Sequence, residues 1–217
     1  MKSRAFSTLA LLLVSLSTPC GSSADKGTSK SDLPDLEGKK VLMVIASRKF
    51  RDEELFEPRK ILLEAGAEVK VASSKLGESI GMLGGKAEPA ILLSEVKARD
   101  YDAIVFVGGV GAKEFWDDEV AHKTARGCLE QEKILGAICI APITLANAGV
   151  LKDRKATVFA SVRDQLTAKG AKYTGRKVEV DGRIITANGP ESARLFGEAI
   201  ARALAEKSQP TDTENQE

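Results

Sequence analysis

The residue with the clearest chemical potential is Cys139, which ends a short apolar run within residues 133–142. A thiolate is a strong nucleophile, and its reactivity depends on how far its surroundings lower the thiol pKa. The neighbours of the cysteine are small or helix-starting residues, namely Gly136, Ala137, Ala141 and Pro142. They favour a sharp strand-to-helix turn, a nucleophile elbow, in which the sulfur stands above a sheet and the amides of the next helix point at it.

Residue type alone leaves an alternative open, in which Cys139 is a structural cysteine buried in a core strand. Cys128 lies eleven residues earlier, near the end of a predicted helix. The six strand residues between that helix and Cys139, at about 3.3 Å each, separate the two cysteines by far more than the ~7 Å that a disulfide allows. No disulfide between them is therefore expected.

The elements that position Cys139 follow an alternating pattern. Residues 41–46 form an apolar run typical of a strand buried on both faces of a parallel sheet. Residues 52–65 have helical spacing and stop at Gly66, and residues 67–72 form the next strand. Residues 101–107 predict another buried strand.

That strand runs into Gly108 and Gly109, a glycine pair that permits close backbone approach. The glycine-rich residues 73–96 predict a hairpin or loop excursion outside the main sheet. The remaining predicted segments are a helix over 117–131, a helix over 140–148, a strand over 155–159, a helix over 162–169, a hairpin of 177–180 with 183–186, and a closing helix over 191–205. This alternation predicts a three-layer α/β/α sandwich with a mostly parallel sheet.

Composition limits the function classes. The 217 residues, 43% hydrophobic and 29% charged, suffice for one full-sized core. Lys and Arg number 32 against 31 Asp and Glu, and aromatics are 5%, so the features of a nucleic-acid binder are missing. The glycine pair is not a phosphate-binding fingerprint, and neither a cofactor nor a metal is predicted.

The ends of the chain suggest targeting and tether segments. Residues 1–24 resemble a secretory signal peptide cut after Ala24, which would make the protein exported. Two alternatives remain: lipidation at Cys20, which would anchor the protein to a membrane, and a cytoplasmic protein with an uncleaved apolar start. Residues 25–38 predict a flexible linker, 39–206 the folded domain, and 207–217 a disordered tail.

Five motifs, which occur in the right order along the chain, carry a resemblance to a known family. In chain order they are Phe50-Arg-Asp-Glu-Glu54-Leu-Phe-Glu-Pro58, Gly108-Gly109, Gly136-Ala-Ile-Cys139-Ile-Ala-Pro142, residues 148–155, and Ile185-Thr-Ala-Asn-Gly-Pro190. Together they resemble the DJ-1/PfpI superfamily, whose fold is also called class I glutamine amidotransferase-like, over residues 39 to about 205. The resemblance implies a flavodoxin-like sandwich and a homodimer or higher homo-oligomer.

The resemblance also implies roles for four residues. Cys139 is similar to the family's nucleophilic or oxidisable cysteine, and Glu54 matches the acid that reaches it from the first helix. The backbone N–H groups of Gly109 and Ile140 match the pair that holds an oxyanion. A protonated Glu54 would donate a hydrogen bond to the sulfur. Its alternative is an ordinary solvated carboxylate in the first turn of a helix.

One departure from the family concerns histidine. Some members carry a histidine directly after the cysteine, where this chain has Ile140, and others carry one on the next strand, where it has Phe159. The sole histidine, His122, falls within the helix predicted over 117–131 and is expected to be a surface or packing residue. Glu114 is a candidate acid acting across a dimer interface, with an ordinary surface acid as its alternative.

The predicted function is glyoxalase-like, deglycase or hydrolase chemistry on small carbonyl or aldehyde compounds, with peptidase activity less favoured and turnover slow without the histidine. The alternative is a non-catalytic oxidative-stress sensor or chaperone that uses oxidation of Cys139. A third hypothesis is a binding module that retains the pocket without the reaction.

Overall fold

The computed structural model describes residues 33–206. Their strands are β1 (Lys40–Ile45), β2 (Arg48–Phe50), β3 (Glu68–Ser73), β4 (Ser79–Gly81), β5 (Lys86–Ala87), β6 (Ile91–Leu92), β7 (Ala103–Phe106), β8 (Ile134–Ile138), β9 (Lys155–Ala156), β10 (Lys172–Tyr173), β11 (Val178–Asp181) and β12 (Ile184–Ala187). Their α-helices are α1 (Asp52–Glu64), α2 (Glu119–Glu130), α3 (Pro142–Asn147), α4 (Arg163–Ala168) and α5 (Ala193–Glu206).

The main sheet has seven strands in the order β11-β12-β8-β7-β1-β3-β6. All neighbours run parallel except β11, which is antiparallel to β12. The central strands β1, β7 and β8 are buried almost throughout. This burial explains why they are continuous apolar runs in the sequence, because helices cover both faces of such a sheet.

The helices complete a three-layer α/β/α sandwich of the flavodoxin-like type, as predicted. α1 packs against α5, while α2 packs against α3, and these pairs cover the sheet. The contact of α1 with α5 is close because Gly197 faces Pro58: a Cβ at residue 197 would lie 2.8 Å from Pro58 Cα.

The segment over residues 73–96 differs in part from its prediction. β4 and β5 do form a hairpin outside the main sheet, and β4 pairs with β2, a strand that the sequence did not predict. However, β6 joins the edge of the main sheet beside β3. Two residues are too short a run to show a period, which is why the pattern missed this edge strand.

Two predicted boundaries near the cysteine are wrong. The strand over 155–159 ends at Ala156, because Thr157 N donates to the Thr186 side chain at 2.9 Å instead of continuing a ladder. Phe159 therefore lies in a loop rather than on a strand. The helix predicted over 140–148 begins only at Pro142, since the turn at Cys139 occupies the residues before it.

Packing at the N-terminal end begins before residue 39. Leu36, in the predicted linker, is fully buried, and its N–H donates to Ala65 O at 2.7 Å. The predictions for residues 1–32 and 207–217, including the signal peptide and lipidation at Cys20, lie outside the described residues. Within residues 33–206, none of the helices is long and apolar enough to cross a membrane.

Two helix-interior glycines give a matched test of this packing. Gly197→Ala should lower the free energy of unfolding by about 1–3 kcal/mol, because its methyl group overlaps the backbone of α1. Gly127→Ala, in α2, should instead raise it by up to about 1 kcal/mol, because the nearest atom, Ala98 Cβ, is 3.6 Å from the new Cβ. Guanidinium unfolding of both variants measures this, and equal effects would contradict the close α1–α5 contact.

Candidate active site at the Cys139 turn

Cys139 lies one residue past the end of β8, on a sharp turn. Its backbone is left-handed, with φ at 63°, a conformation that costs a non-glycine residue about 1–3 kcal/mol. Two hydrogen bonds hold it there: Cys139 N donates to Ala187 O and Phe159 N donates to Cys139 O, both at 2.9 Å. The predicted strand-to-helix turn is therefore confirmed, and the alternative of a cysteine within a core strand is wrong.

Glu54 is fully buried in the first turn of α1. The alternative of a solvated carboxylate is therefore wrong. Burial raises the pKa of Glu54 to about 8, because a charged carboxylate loses its hydration. Contacts with Cys139, the charge of Arg51 and the backbone of Gly108 oppose this rise. Neither carboxyl oxygen has a protein partner of full hydrogen-bond geometry within residues 33–206, which leaves the neutral form favoured.

Gly108 is what allows Glu54 and Cys139 to approach each other. A Cβ at residue 108 would lie 2.5 Å from Cys139 Cβ and 2.5 Å from Glu54 Oε2, so no side chain fits between them. The turn after β7 thus closes over the end of β8. The sequence pointed to close backbone approach at this glycine pair but did not identify the two groups that it brings together.

Burial and the charge of an ionised Glu54 raise the pKa of the Cys139 thiol to about 12. The backbone N–H groups of Gly109 and Ile140 oppose this rise and lower the thiol pKa. The thiol is therefore protonated while Glu54 is charged. Protonation of Glu54 removes that charge and turns the carboxyl into a donor toward the sulfur, so the two groups titrate as a pair.

Gly109 needs its left-handed backbone, with φ at 94°. A Cβ there would overlap the backbone of residues 49–51, and Arg51 N donates to Gly108 O at 3.0 Å. Arg51 also forms an ion pair with Glu53 at 2.8 Å, and its charge lowers the pKa of Glu54. Sequence reasoning did not assign Arg51 a place in the site, although it lies within the motif that contains Glu54.

His122 supports the site indirectly rather than contacting the sulfur. Its Nε2 lies 2.8 Å from Trp116 O, which ties the ring to the segment before α2, and its Nδ1 lies 3.8 Å from the exposed Glu119. Trp116 Nε1 in turn donates to Ile140 O at 3.1 Å. The prediction of a packing residue holds for this buried histidine. Trp116 was missed, and its only signal was being the one tryptophan of the chain, just beyond the glycine turn.

Glu114 is exposed and lies near the ends of two strands of the main sheet. Its Oε1 accepts hydrogen bonds from Ser47 N at 3.3 Å and from Ser74 Oγ at 2.8 Å, and so ties the segments after β1 and β3. Its action across a dimer interface stays a prediction.

Cys128 is not joined to Cys139 by a disulfide, as expected. It lies in α2, and its Sγ donates to Ile134 O at 3.2 Å. No group of three His, Cys, Asp or Glu side chains that could hold a metal ion occurs in residues 33–206. The site as a whole combines a turn cysteine, a buried acid of raised pKa and two converging N–H groups, an arrangement that suits nucleophilic attack on a carbonyl carbon.

Comparison with known proteins identifies several relatives of this chain. The model of the DJ-1/PfpI family matches residues 39–203. An uncharacterized protein of Methanocaldococcus jannaschii is 39% identical over 93% of this chain and 98% of its own length. Deglycase PfpI of Pyrococcus furiosus is 32% identical over 69% of this chain and 90% of its own. The crystal structure of a ThiJ/PfpI domain protein from Brachyspira murdochii, 35% identical, superimposes with a TM-score of 0.76 over 80% of this chain and 100% of that one.

The raised pKa of Glu54 should make folding stability depend on pH. Between its ordinary value of 4.5 and about 8, the folded protein keeps the Glu54 proton and the unfolded chain loses it. Stability from this group is therefore complete below about pH 4.5 and is lost as pH rises through about 8. At ~1.4 kcal/mol per pKa unit, the loss is on the order of 3–5 kcal/mol.

Unfolding titrations at pH 5 and pH 8 measure this effect. The fall in the free energy of unfolding over that interval should be smaller in Glu54→Gln than in the wild type by on the order of 3 kcal/mol. Glu57→Gln, an exposed acid on the same helix, is the control and should behave as the wild type. Identical pH dependence in Glu54→Gln and wild type would refute a proton held at Glu54.

Proposed function

Because this chain belongs to the DJ-1/PfpI family, we propose that it is a cysteine-dependent enzyme acting on small carbonyl compounds, with glyoxalase-like or deglycase chemistry. The observation that carries the proposal is the buried Glu54, with its pKa raised to about 8, which meets the turn cysteine at Gly108. The name of the Pyrococcus furiosus relative, a deglycase, supports the same class of reaction.

The first step follows from the pair of titrating groups. An ionised Glu54 takes the proton of the Cys139 thiol, and the resulting thiolate adds to an aldehyde carbon. A carbon–sulfur bond forms, the carbonyl π bond opens, and the proton returns from Glu54 to the oxygen, which gives a thiohemiacetal. The Gly109 and Ile140 N–H groups would hold that oxygen as its charge develops.

Turnover requires the adduct to rearrange and leave. For methylglyoxal, the balanced overall reaction is addition of one water to give lactate, with no external oxidant or reductant. The reactive form of the pair carries one proton rather than two, so the rate should rise with pH toward about 8, where Glu54 ionises. Without an imidazole to share the proton transfers, Glu54 must act in every one of them, which favours slow turnover.

A second candidate function is sensing of oxidation, and one observation favours it. The Nε2 of His122, the sole histidine, is held by Trp116 O at 2.8 Å, and the ring packs against α2 and the segment before it. The donors that would hold an oxyanion would equally hold the oxygens of a sulfinate at Cys139. In this reading, Glu54 stabilises the oxidised sulfur and the protein acts as a stress sensor or chaperone without turnover.

The location and the assembly of the protein are further parts of the proposal. We propose export, on the apolar start of the chain, and a homodimer or higher homo-oligomer, on the family resemblance. Glu114 is exposed and so is available to a second copy of the chain.

The two cysteines provide a matched test of the enzyme proposal. Cys139→Ala should reduce lactate formation from methylglyoxal by about 100-fold or more, because it removes the nucleophile. Cys128→Ala, which removes the buried thiol in α2, should stay within about two-fold of wild type. Lactate is measured over many turnovers, since protein amines also consume methylglyoxal without catalysis.

Equal lactate formation by Cys139→Ala and wild type would contradict the role of the cysteine. If neither protein forms lactate, and peroxide converts Cys139 of the wild type to a sulfinate, the result would favour the sensor.

A further inference from the structure

A small pocket of about 250 Å³ lies beside the Cys139 turn. Its walls combine apolar and polar surface, and its lining includes Val158, Phe159, Tyr173, Asn188 and Pro190. Pockets that hold drug-sized ligands span about 300–1,000 Å³, so this one suits a smaller molecule.

Two walls of the pocket are attached to the backbone of Cys139. Phe159 N donates to Cys139 O, and Cys139 N donates to Ala187 O, the residue directly before Asn188. The pocket therefore lies next to the backbone of the residue that bears the sulfur. Ser192 Oγ donates to Asn188 Oδ1 at 2.7 Å, which fixes the loop after β12 that forms the second wall.

Phe159 has an exposed side chain although its backbone is held beside the Cys139 turn. Its side chain is 42% exposed although its N–H is fixed to the turn. One part of the ring faces Gly189, where a Cβ would lie 3.2 Å from Phe159 Cδ2. Phe159 and the half-buried Tyr173 both line the pocket, and each keeps part of its side chain accessible. Aromatic surfaces in this setting bind a flat ring in offset-stacked or edge-to-face geometry.

We propose that this pocket binds the aromatic ring of an aryl carbonyl substrate and places its carbonyl carbon at Cys139. The inference rests on the proposed carbonyl chemistry and extends it from small aldehydes to aryl α-oxoaldehydes such as phenylglyoxal. Phe159, which lines the pocket, is then a specificity-determining residue.

Binding of an unreactive probe tests the pocket independently of turnover. Acetophenone carries the ring and a carbonyl but no aldehyde, and acetone carries the carbonyl without the ring. In the Cys139→Ala protein, amide chemical shifts should show acetophenone binding at residues 159 and 189, more tightly than acetone by roughly ten-fold or more. Phe159→Ala in the same background should weaken acetophenone binding by roughly five- to ten-fold.

Leu195→Ala is the matched control, because Leu195 is also 42% exposed but lies on α5 away from the pocket. It should leave acetophenone binding unchanged. Phe159→Leu keeps an apolar side chain without the ring, and it should lose affinity for acetophenone while the fold is kept. Acetophenone binding no tighter than that of acetone, or unaffected by both Phe159 variants, would overturn the proposal.

Kinetics then separate this inference from the proposed function. With Cys139 present, the ratio of kcat/KM for phenylglyoxal to that for methylglyoxal should fall in Phe159→Ala by roughly five- to ten-fold. An unchanged ratio with intact turnover would overturn the pocket and leave the enzyme proposal standing. Ring-dependent binding without turnover of either aldehyde would support the pocket and overturn the enzyme proposal.

Discussion

The site depends on one constraint: a buried carboxyl and a buried thiol share a space that has no room for a side chain between them. Gly108 provides that space, since any Cβ there would overlap both Cys139 and Glu54. A buried carboxylate loses its hydration, so Glu54 keeps a proton that an isolated glutamate would lose, and burial raises its pKa to about 8. Burial and the charge of an ionised Glu54 together raise the pKa of the Cys139 thiol, so the two groups titrate as a pair.

The fold brings these groups together through the ends of its central strands. β7 and β8 are parallel neighbours, so the turn after β7 and the turn after β8 meet at one edge of the sheet. α1 starts at the same edge, and its first turn supplies Glu54. The left-handed backbone of Cys139 is maintained by hydrogen bonds to Ala187 and Phe159, which are contributed by later parts of the chain. The apolar strands thus provide the rigid frame on which a strained turn can persist.

The turn and the strands of this arrangement could be predicted from the sequence. The contacts between distant segments could not. The small residues around Cys139 predicted the turn, and continuous apolar runs predicted the parallel strands. Periodicity could not separate a solvated Glu54 from a buried one, because a single acid in the first turn of a helix suits both. Two-residue strands such as β6 have no period to read, and the place of Phe159 beside the turn depends on a hydrogen bond between residues twenty positions apart. The link from Trp116 to Ile140 O is likewise a tertiary contact that no local pattern encodes.

The ionisation state of Glu54 in the folded protein tests this account most directly. The carboxyl carbon of Glu54 can be followed by ¹³C chemical shift in protein labelled at glutamate Cδ, with the spectrum of Glu54→Gln identifying its signal. The buried carboxyl should titrate with a midpoint near pH 8 and be neutral beside Cys139 at lower pH. A midpoint near 4.5, the ordinary value, would contradict it, since a charged Glu54 would then oppose the thiolate throughout the physiological range.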